Sequence, residues 1–468
     1  MKRIGKISPR TSNQIQSSRI GIGFECLDRK MWDDVDEVYD YAVATGAKYA
    51  RVQTGWSRTE LVRGQYDFTW LDRTVDKLLA GGIQPWLNLG YGNMLYTDAP
   101  APDACGWVPL YTEEARTGWR NYIAALVRHF RDRVSLYEVW NEPYSKGFWL
   151  PGPPSQSEYV ELVKLTAEVI RGILPEAKII GGNTGTELWF APCIEEYMKL
   201  GLGRYLDVYS YHRYRVMPEI ETPEWINFYR AIFKKYGADH LELWQGEAGF
   251  PSVTSETEAL AGVPTNEEIQ ARLLLRSLLT DLYLENDYTS YFTISDFKYY
   301  YKNGFRNKPN YFGLLTTDTP PRPKKSYDAF RHICTLFDSS TRRDKTTLAT
   351  METCNALAEK DRYSFHEKIT SSNVVAFERN GRPLIAWWQK VSALKDSSPY
   401  PMNLLVWSPD KAFQNPVVID PLTGEVFEYD FIYEKPDYRV KILDAPLKNY
   451  PMLLADREAV LNCISVEE

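Results

Sequence analysis

The feature that most constrains the fold is an alternation of short apolar runs and helix-like segments, repeated eight times between residues 19 and 337. Strands that are separated by helices pair in parallel, and parallel strands need burial on both faces. Eight such units close into a (β/α)8 barrel, which we predict over residues 19–340. The predicted strands are RIGIGFECL (19–27), AKYARVQTGW (47–56), IQPWLNLGYG (83–92), SLYEVWNEP (135–143), AKIIGGNTG (177–185), LDVYSYHRY (206–214), LELWQGEAGF (241–250) and SYFTISDFKY (290–299).

An open, doubly wound sheet is the structural alternative to the barrel. That fold uses a glycine-rich phosphate-binding turn after its first strand, and the segment ECLDRKMWDD (25–34) contains no glycine. The glycine-rich segment GGNTGT (181–186) matches neither the dinucleotide nor the P-loop pattern. We therefore favour the closed barrel and predict a tight turn at GGNTGT.

The sequence changes in character after PPRPKKSYDAFRHICTLF (320–337), which is typical of a last barrel helix. From residue 345 onward, short alternating apolar runs are separated by Asn-Gly, Pro-Asp and Thr-Gly turn signals. This pattern predicts a β-sandwich over residues 345–468, to which residues 1–18 add a candidate strand. The predicted fold class is therefore α/β, a (β/α)8 TIM barrel with a C-terminal β-sandwich domain.

The composition argues against several classes of function. The 468 residues carry a net charge of −7, which disfavours a nucleic-acid surface and suits a neutral ligand. The six cysteines are scattered without CxxC spacing, and the five histidines form no HExxH motif. This pattern argues against a disulfide framework and a zinc site, so we expect no metal and no organic cofactor.

The chain contains no apolar run long enough to span a membrane, and its N-terminal segment MKRIGKISPRTSNQIQSS lacks the apolar centre of a signal peptide. We therefore expect no membrane partner and, by default, a cytoplasmic location. A periplasmic or secreted location would fit if a signal had been removed. The sequence does not define an oligomeric state.

Polar side chains gather at the C-terminal ends of the predicted strands, which form the mouth of such a barrel and carry its active site. Strand four ends in Asn141 and Glu142, and strand seven places Glu247 last on the face that it shares with Gln245. The ends of other strands supply Glu25, Arg51, Asn88, His212 and Tyr214.

Two carboxylates on facing strands are what hydrolysis of a glycosidic bond requires. One is protonated and gives its proton to the leaving oxygen, while the other is ionised and attacks the anomeric carbon. Strands four and seven lie three apart in an eight-stranded ring, so Glu142 and Glu247 can face each other across a sugar. A separation of about 5–5.5 Å would indicate retention of configuration through a covalent glycosyl-enzyme.

Two motifs resemble those of a known group of enzymes. WNEP (140–143) and QGEAGF (245–250) are similar to the acid/base and nucleophile signatures of clan A glycoside hydrolases, which are retaining (β/α)8 enzymes. YEVWNEPY (137–144), followed by a C-terminal β-sandwich, most resembles glycoside hydrolase family 39, which includes β-xylosidases. The likeness covers roughly residues 19–337, and it departs at strand eight, where TISDFKYY lacks the tryptophan usual in the clan.

The resemblance implies roles for individual residues. Glu142 would be the general acid/base and Glu247 the nucleophile, while Asn141 would hold the sugar 2-hydroxyl. Arg51 matches an arginine that lies near the nucleophile of the clan. A hydrogen bond to the nucleophile is expected from strand six, where the candidates are His212 and Tyr214.

The remaining candidates leave alternatives open. Asn88 and Glu25 are balanced between substrate contact and structural hydrogen bonds. Trp149, in the loop SKGFWLPGPPSQ, is either a stacking platform for a sugar or a residue that packs on the barrel rim. Glu138 lies deeper in the barrel, where we expect it to pair with an arginine. The apolar flank of Glu142 predicts a raised pKa for its carboxyl group.

The sequence thus predicts a retaining, exo-acting glycoside hydrolase that removes a terminal unit from plant-type oligo- or polysaccharides. The unit would be a β-D-xyloside, galactoside or glucoside, or an α-L-arabinofuranoside. Long segments after strands three (94–113), four (144–158) and eight (299–323) favour a pocket over a groove. The alternatives are a non-catalytic carbohydrate-binding protein on a degenerate barrel and a metal-dependent barrel hydrolase. The first is disfavoured because both carboxylates are present, and the second would need clustered His and Asp.

Overall fold

A computed structural model of the chain describes residues 1–256, 259–299, 301–302, 305–306, 309–352, 371–394, 399–409, 413–434 and 439–466. They form a closed barrel of eight strands surrounded by helices, two further antiparallel sheets of eight and four strands, and one antiparallel pair of two-residue strands. The predicted fold class is therefore confirmed. In the part of the chain that the structure describes, no helix combines the length and hydrophobicity needed to cross a bilayer.

The barrel is built from eight parallel strands, which we number one to eight in chain order. Each strand pairs with its two neighbours, and strand eight closes the ring onto strand one, with Ile20 opposite Thr289. The strands are Ile20–Gly23, Tyr49–Gln53, Gln84–Leu89, Leu136–Val139, Lys178–Thr184, Val208–His212, Glu242–Ala248 and Tyr288–Tyr291.

Several helices around the barrel bury one face, whereas Glu267–Tyr283 is buried at every position from Ile269 to Leu282. In Thr69–Ala80, for example, the buried residues Leu71, Thr74, Val75 and Leu78 recur at helical spacing and pack inward. The helices of the barrel region are Asp36–Thr45, Trp56–Thr59, Thr69–Ala80, Glu113–Phe130, Gln156–Ile173, Phe190–Lys199, the 3-10 turn Leu202–Arg204, Thr222–Lys235, Glu267–Tyr283 and Lys325–Leu336.

Two local predictions at the strand ends are wrong. Strand eight covers Tyr288–Tyr291 rather than 290–299, because Ser295 and Phe297 leave the barrel and form bridges to Leu315 and Asn310. The GGNTGT segment is not a tight turn: its first four residues belong to strand five, which carries an irregularity between Gly182 and Thr184.

A layer of aromatic and aliphatic side chains fills the lower barrel. Gly21 on strand one makes room for it, because a Cβ at this position would lie 1.6 Å from the Tyr288 hydroxyl oxygen and 2.9 Å from the Tyr49 carbonyl oxygen. The layer is a packed floor beneath the mouth, and its buried members are Trp86, Leu136, Ile180, Val208, Trp244 and Tyr288.

The two further sheets flank the barrel. Strand Lys2–Ile7 lies within the larger sheet. Arg276, on a barrel helix, ties the sheets to the barrel because its buried guanidinium donates to the carbonyl oxygens of Val391 at 2.7 Å and Asn449 at 3.4 Å. The domain boundaries at residues 340 and 345 stay a prediction.

The larger sheet has eight strands, in the spatial order Thr341–Arg343, Ser372–Arg379, Arg382–Gln389, Met452–Asp456, Pro416–Ile419, Glu425–Glu428, Lys2–Ile7 and Ile464–Val466. The smaller sheet orders Leu348–Glu352, Tyr400–Trp407, Arg439–Leu447 and Phe431–Glu434. The remaining elements are the hairpin strands Tyr301–Lys302 and Phe305–Arg306, the helix Arg457–Val460 and the 3-10 turn Leu461–Cys463.

The packed floor makes a prediction about stability. We expect Gly21→Ala to lower the midpoint of thermal unfolding, because forcing a methyl group against Tyr288 costs about 1–3 kcal/mol. Gly172→Ala is the matched control, since no atom lies within 4 Å of its added Cβ. Its helical position should gain about 0.5–1 kcal/mol instead. Equal midpoints for the two variants would contradict the packing described here.

Candidate active site

Glu142 and Glu247 meet at the mouth of the barrel. One carboxylate oxygen of each and one ring nitrogen of His212 lie within 4.8 Å of one another. The Glu142 and Glu247 side chains keep 19% and 10% of their surfaces exposed, so solvent and a ligand can reach both. Two carboxyl groups this close match the separation that a retaining glycosidase needs and leave no room for the water of an inverting one.

The end of strand four presents Glu142 through an unusual backbone. Trp140 and Glu142 have φ angles of 67° and 40°, a left-handed conformation that non-glycine residues rarely adopt and that clusters at functional sites. The Trp140 carbonyl oxygen accepts from the Asn88 side-chain amide at 2.7 Å and from that of Asn183 at 2.9 Å. These two buried amides hold the bend that carries Glu142 to the mouth.

Arg51 is the hub beneath the two carboxylates. Its fully buried guanidinium donates to Glu138 Oε2 at 2.6 Å, Glu247 Oε2 at 2.9 Å, Asn141 Oδ1 at 2.8 Å and, more weakly, Glu25 Oε1 at 3.4 Å. Burial alone would lower the pKa of Arg51, but the surrounding carboxylates raise it well above its usual value. The expected pairing of Glu138 with an arginine is confirmed.

Glu247 is fixed through both of its oxygens. Arg51 binds Oε2, and the Tyr214 hydroxyl donates to Oε1. The Tyr214 ring lies 6.4 Å from that of Phe292, centroid to centroid, just beyond strand eight. Phe292 therefore lines this side of the site, a residue that the sequence analysis missed because it set strand eight too late.

His212 lies between the two carboxylates. Its Nδ1 is 3.0 Å from Glu142 Oε1 and 3.8 Å from Glu247 Oε2. Burial would lower the pKa of His212, but the charge of Glu247 and the hydrogen bond to Glu142 raise it above its usual value. Strand six thus supplies contacts to both carboxylates, His212 mainly to Glu142 and Tyr214 to Glu247.

The predicted direction of the Glu142 pKa is wrong. Burial does raise it, but the hydrogen bond from His212, the positive charge of His212 and a hydrogen bond from Tyr144 together lower the pKa below its usual value. The two opposite shifts favour a shared proton on the imidazole over one on the carboxyl group. Tyr144, directly after the NEP segment, is a further site residue that the sequence analysis missed.

The contacts of Glu25 and Asn88 favour the structural alternative over substrate contact, which stays a prediction. Both are buried, and Asn88 also donates to Glu138 Oε2 at 2.9 Å. The Thr293 hydroxyl has two acceptors within reach, the Gly23 carbonyl oxygen at 2.8 Å and Glu25 Oε2 at 3.2 Å.

The pKa of Glu25 agrees with a neutral carboxyl group. Burial raises it to about 8, with Arg51 opposing the shift and the charge of Glu247 adding to it. Below that pH Glu25 carries no charge, and the negative partners that bind Arg51 most closely are then Glu138 and Glu247.

Trp149 is not at the mouth either. Its side chain has no exposed surface, its Nε1 donates to Glu158 at 3.1 Å, and its ring packs on Trp140 and Tyr159 at centroid distances of 6.2 Å. The prediction of a stacking platform is contradicted, and the alternative of packing on the barrel holds. The loop sequence alone did not distinguish a stacking platform from a packing residue, because a tryptophan among prolines and glycines is compatible with either role.

Glu142, His212 and Glu247 could also offer ligands to a metal ion. Within the described ranges, Glu142, His212 and Glu247 are the one group whose ligand atoms have suitable spacing. Arg51, however, already places a positive charge 2.9 Å from Glu247 Oε2, and a second cation there would be repelled. Hydrogen bonds engage His212 Nδ1, Glu142 Oε1 and both Glu247 oxygens, while the buried His212 Nε2 has no hydrogen-bond partner among the residues that the structure describes.

The protonated Glu25 makes a prediction about pH dependence. Because its pKa is raised in the folded state, its stabilising contribution is complete below about pH 4.5 and is lost as the pH rises to about 8, by up to ~1.4 kcal/mol per pH unit. A glutamine side chain at this position does not ionise, so its contribution to stability does not change with pH. We therefore expect Glu25→Gln to melt like the wild type at about pH 5 and several degrees higher at about pH 8.

The matched control is Glu138→Gln, a second buried carboxyl group beside Arg51. It breaks an ion pair of 2.6 Å, so it should lower the melting midpoint at both pH values. Parallel pH curves for wild type and Glu25→Gln would show that Glu25 is ionised in the folded protein.

Comparison with known proteins adds to this geometry. A sequence model of glycosyl hydrolases family 39 matches residues 46–248, the segment that carries both carboxylates. The chain is 24% identical over 334 residues to a β-xylosidase of Geobacillus stearothermophilus, which is 63% of this chain and 61% of that protein. It is 26% identical over 163 residues to a β-xylosidase of Caldicellulosiruptor saccharolyticus, covering 32% and 31% of the two chains.

The chain thus spans less than two thirds of the length of these relatives. A family 39 glycoside hydrolase from the gut symbiont Bacteroides cellulosilyticus has the same fold, with a TM-score of 0.65, 18% identity and coverage of 94% of this chain and 80% of that one. Residues 46–248, the segment that carries both carboxylates, are thus similar to glycosyl hydrolases family 39.

Proposed function

We propose that this protein is a retaining, exo-acting glycoside hydrolase that releases a terminal glycosyl unit from a plant-type oligo- or polysaccharide. The observation that carries the proposal is the approach of Glu142 and Glu247 to within 4.8 Å, oxygen to oxygen, at an accessible barrel mouth. A separation this short suits direct attack on the anomeric carbon by one carboxylate while the other serves the leaving oxygen.

In the first step Glu247 is the nucleophile and Glu142 the acid. Arg51 and Tyr214 hold both oxygens of Glu247, which limits its rotation and aims it at the anomeric carbon. His212 returns the shared proton to Glu142 along their 3.0 Å hydrogen bond, and Glu142 passes it to the departing oxygen. The bond from the anomeric carbon to that oxygen breaks as the bond to Glu247 forms.

In the second step Glu142 is the base. Once Glu247 is esterified it has lost its negative charge. Neighbouring groups then bind a proton less strongly, because no carboxylate charge remains to attract it. Glu142, ionised after giving up its proton, can then take one from an incoming water that attacks the anomeric carbon. The product keeps the anomeric configuration of the substrate because two inversions have occurred.

Asn141 is assigned to the sugar 2-hydroxyl. Its Oδ1 accepts from Arg51 at 2.8 Å, so the amide nitrogen faces away from the guanidinium. A donor fixed in this way can bind the 2-hydroxyl more strongly as positive charge develops on the ring, which favours the transition state over the bound substrate.

The proposal also covers which sugar is released and whether the enzyme acts on chain ends. A β-D-xyloside is the first candidate because the two relatives described above are named β-xylosidases, with a galactoside, a glucoside or an α-L-arabinofuranoside as the other candidates. Exo action is inferred from the long segments that follow strands three, four and eight, since such segments tend to close one end of a groove.

The experiment is a panel of nitrophenyl glycosides of these four sugars, tested on the wild type and on Glu247→Ala. We expect hydrolysis of one sugar, a loss of about 10⁴-fold or more in the variant, and partial rescue by azide. The rescued product should be a glycosyl azide of inverted configuration, because azide replaces the missing carboxylate in a single displacement.

The matched control is Glu242→Ala, a carboxylate at the opposite end of the same strand that pairs with Lys178. It should keep wild-type rates, and a chelator should not change them. A wild type that binds the sugars but hydrolyses none would support a non-catalytic binding protein instead. Release of internal fragments with no terminal sugar would contradict exo action.

A further inference from the structure

Two adjacent apolar side chains are exposed on the segment that follows barrel strand five. Leu188 and Trp189 keep 84% and 71% of their surfaces exposed, just before the helix Phe190–Lys199. Because the C-terminal ends of all eight strands open on one face, this segment lies at the mouth that holds the two carboxylates. An indole that is left in solvent beside an active site is a candidate for ligand contact.

A continuous row of aromatic rings joins Trp189 to Glu142. The Trp189 ring lies 5.7 Å from that of Phe190, and the Phe190 ring lies 4.4 Å from that of Tyr144, centroid to centroid. Tyr144 in turn hydrogen-bonds Glu142. Phe190 is buried, so it supports its neighbours, and Trp189 is the member that remains open to a ligand.

The position of this row relative to the two carboxylates indicates which part of a ligand it would meet. Glu247 attacks the anomeric carbon, whereas Glu142 donates a proton to the oxygen of the leaving group. The aromatic row starts at Glu142, so it extends on the side of the departing sugars.

Polar groups flank the exposed ring. Arg215 donates to the Thr186 carbonyl oxygen at 2.8 Å and pairs with Glu221 at 2.6 Å, which holds its guanidinium beside this segment. A flat apolar face with charged and polar groups around it suits a pyranose, which has one C–H face and a rim of hydroxyls.

We propose that Trp189, with Leu188 beside it, is the platform on which the leaving-group part of a neutral oligosaccharide stacks. The inference rests on the proposed glycosidase function and adds the residue that binds the departing chain. It predicts that Trp189 contributes to turnover only when the leaving group contains sugar rings.

The test compares two substrates of the sugar found in the glycoside panel, β-D-xylose first: xylotriose and trifluoroethyl β-D-xyloside, whose leaving group has no ring. For Trp189→Ala we expect the ratio of kcat/KM on xylotriose to kcat/KM on the trifluoroethyl glycoside to fall about ten- to hundredfold, the worth of one buried aromatic side chain. Trp189→Phe should restore most of the ratio.

The matched control is Phe431→Ala, an exposed aromatic residue on the smaller antiparallel sheet, and its ratio should equal that of the wild type. An unchanged ratio in Trp189→Ala, or the same fall in Phe431→Ala, would overturn the inference and leave the proposed function standing. A wild type that cleaves neither substrate nor any glycoside of the panel would overturn the proposed function, and the inference with it.

Discussion

The buried guanidinium of Arg51 is the interaction on which the rest of the site depends. A charge without solvent contact is stable only when its partners surround it, and here Glu138 below, Glu247 above and Asn141 beside it take three of its donors. Arg51 therefore links the packed floor of the barrel to the reactive mouth. Burial and the charge of the neighbouring Glu247 raise the pKa of Glu25 although Arg51 opposes the shift, which is why a protonated Glu25 fits this arrangement.

The mouth is held together by hydrogen bonds that leave little freedom to its two carboxylates. Asn88 and Asn183 stabilise the left-handed end of strand four, and His212 bridges toward both Glu142 and Glu247. The pKa of Glu142 is lowered and that of His212 is raised, which favours a shared proton on the imidazole. A site of this kind is prepared for charge transfer before a ligand binds, so little reorganisation is needed during the proposed reaction.

Much of the fold and the central pair of carboxylates could be predicted from the sequence. The alternation of strands and helices is a local signal, and a glutamate at the end of strand four or seven has a defined place once the barrel closes. What could not be predicted depends on three-dimensional surroundings. The pKa of Glu142 is lowered by a histidine 70 positions away. Trp149 is buried against the rings of Trp140, just after strand four, and Tyr159, on the following helix, and this contact depends on how the loop between them folds. Asn183 follows two glycines in a pattern that is typical of a turn. Only the pairing of strand five with strand six shows that these residues belong to a strand.

The central claim is that Glu142 and Glu247 act on one bound sugar, with Glu247 forming the covalent bond. Mass spectrometry of the protein after inactivation by a dinitrophenyl fluoroglycoside tests it most directly, since the fluorine slows release of the sugar from the nucleophile. The account predicts one added glycosyl unit per chain, located on the peptide that contains Glu247. A label on any other residue, or full turnover of ordinary substrates with no label formed, would contradict it.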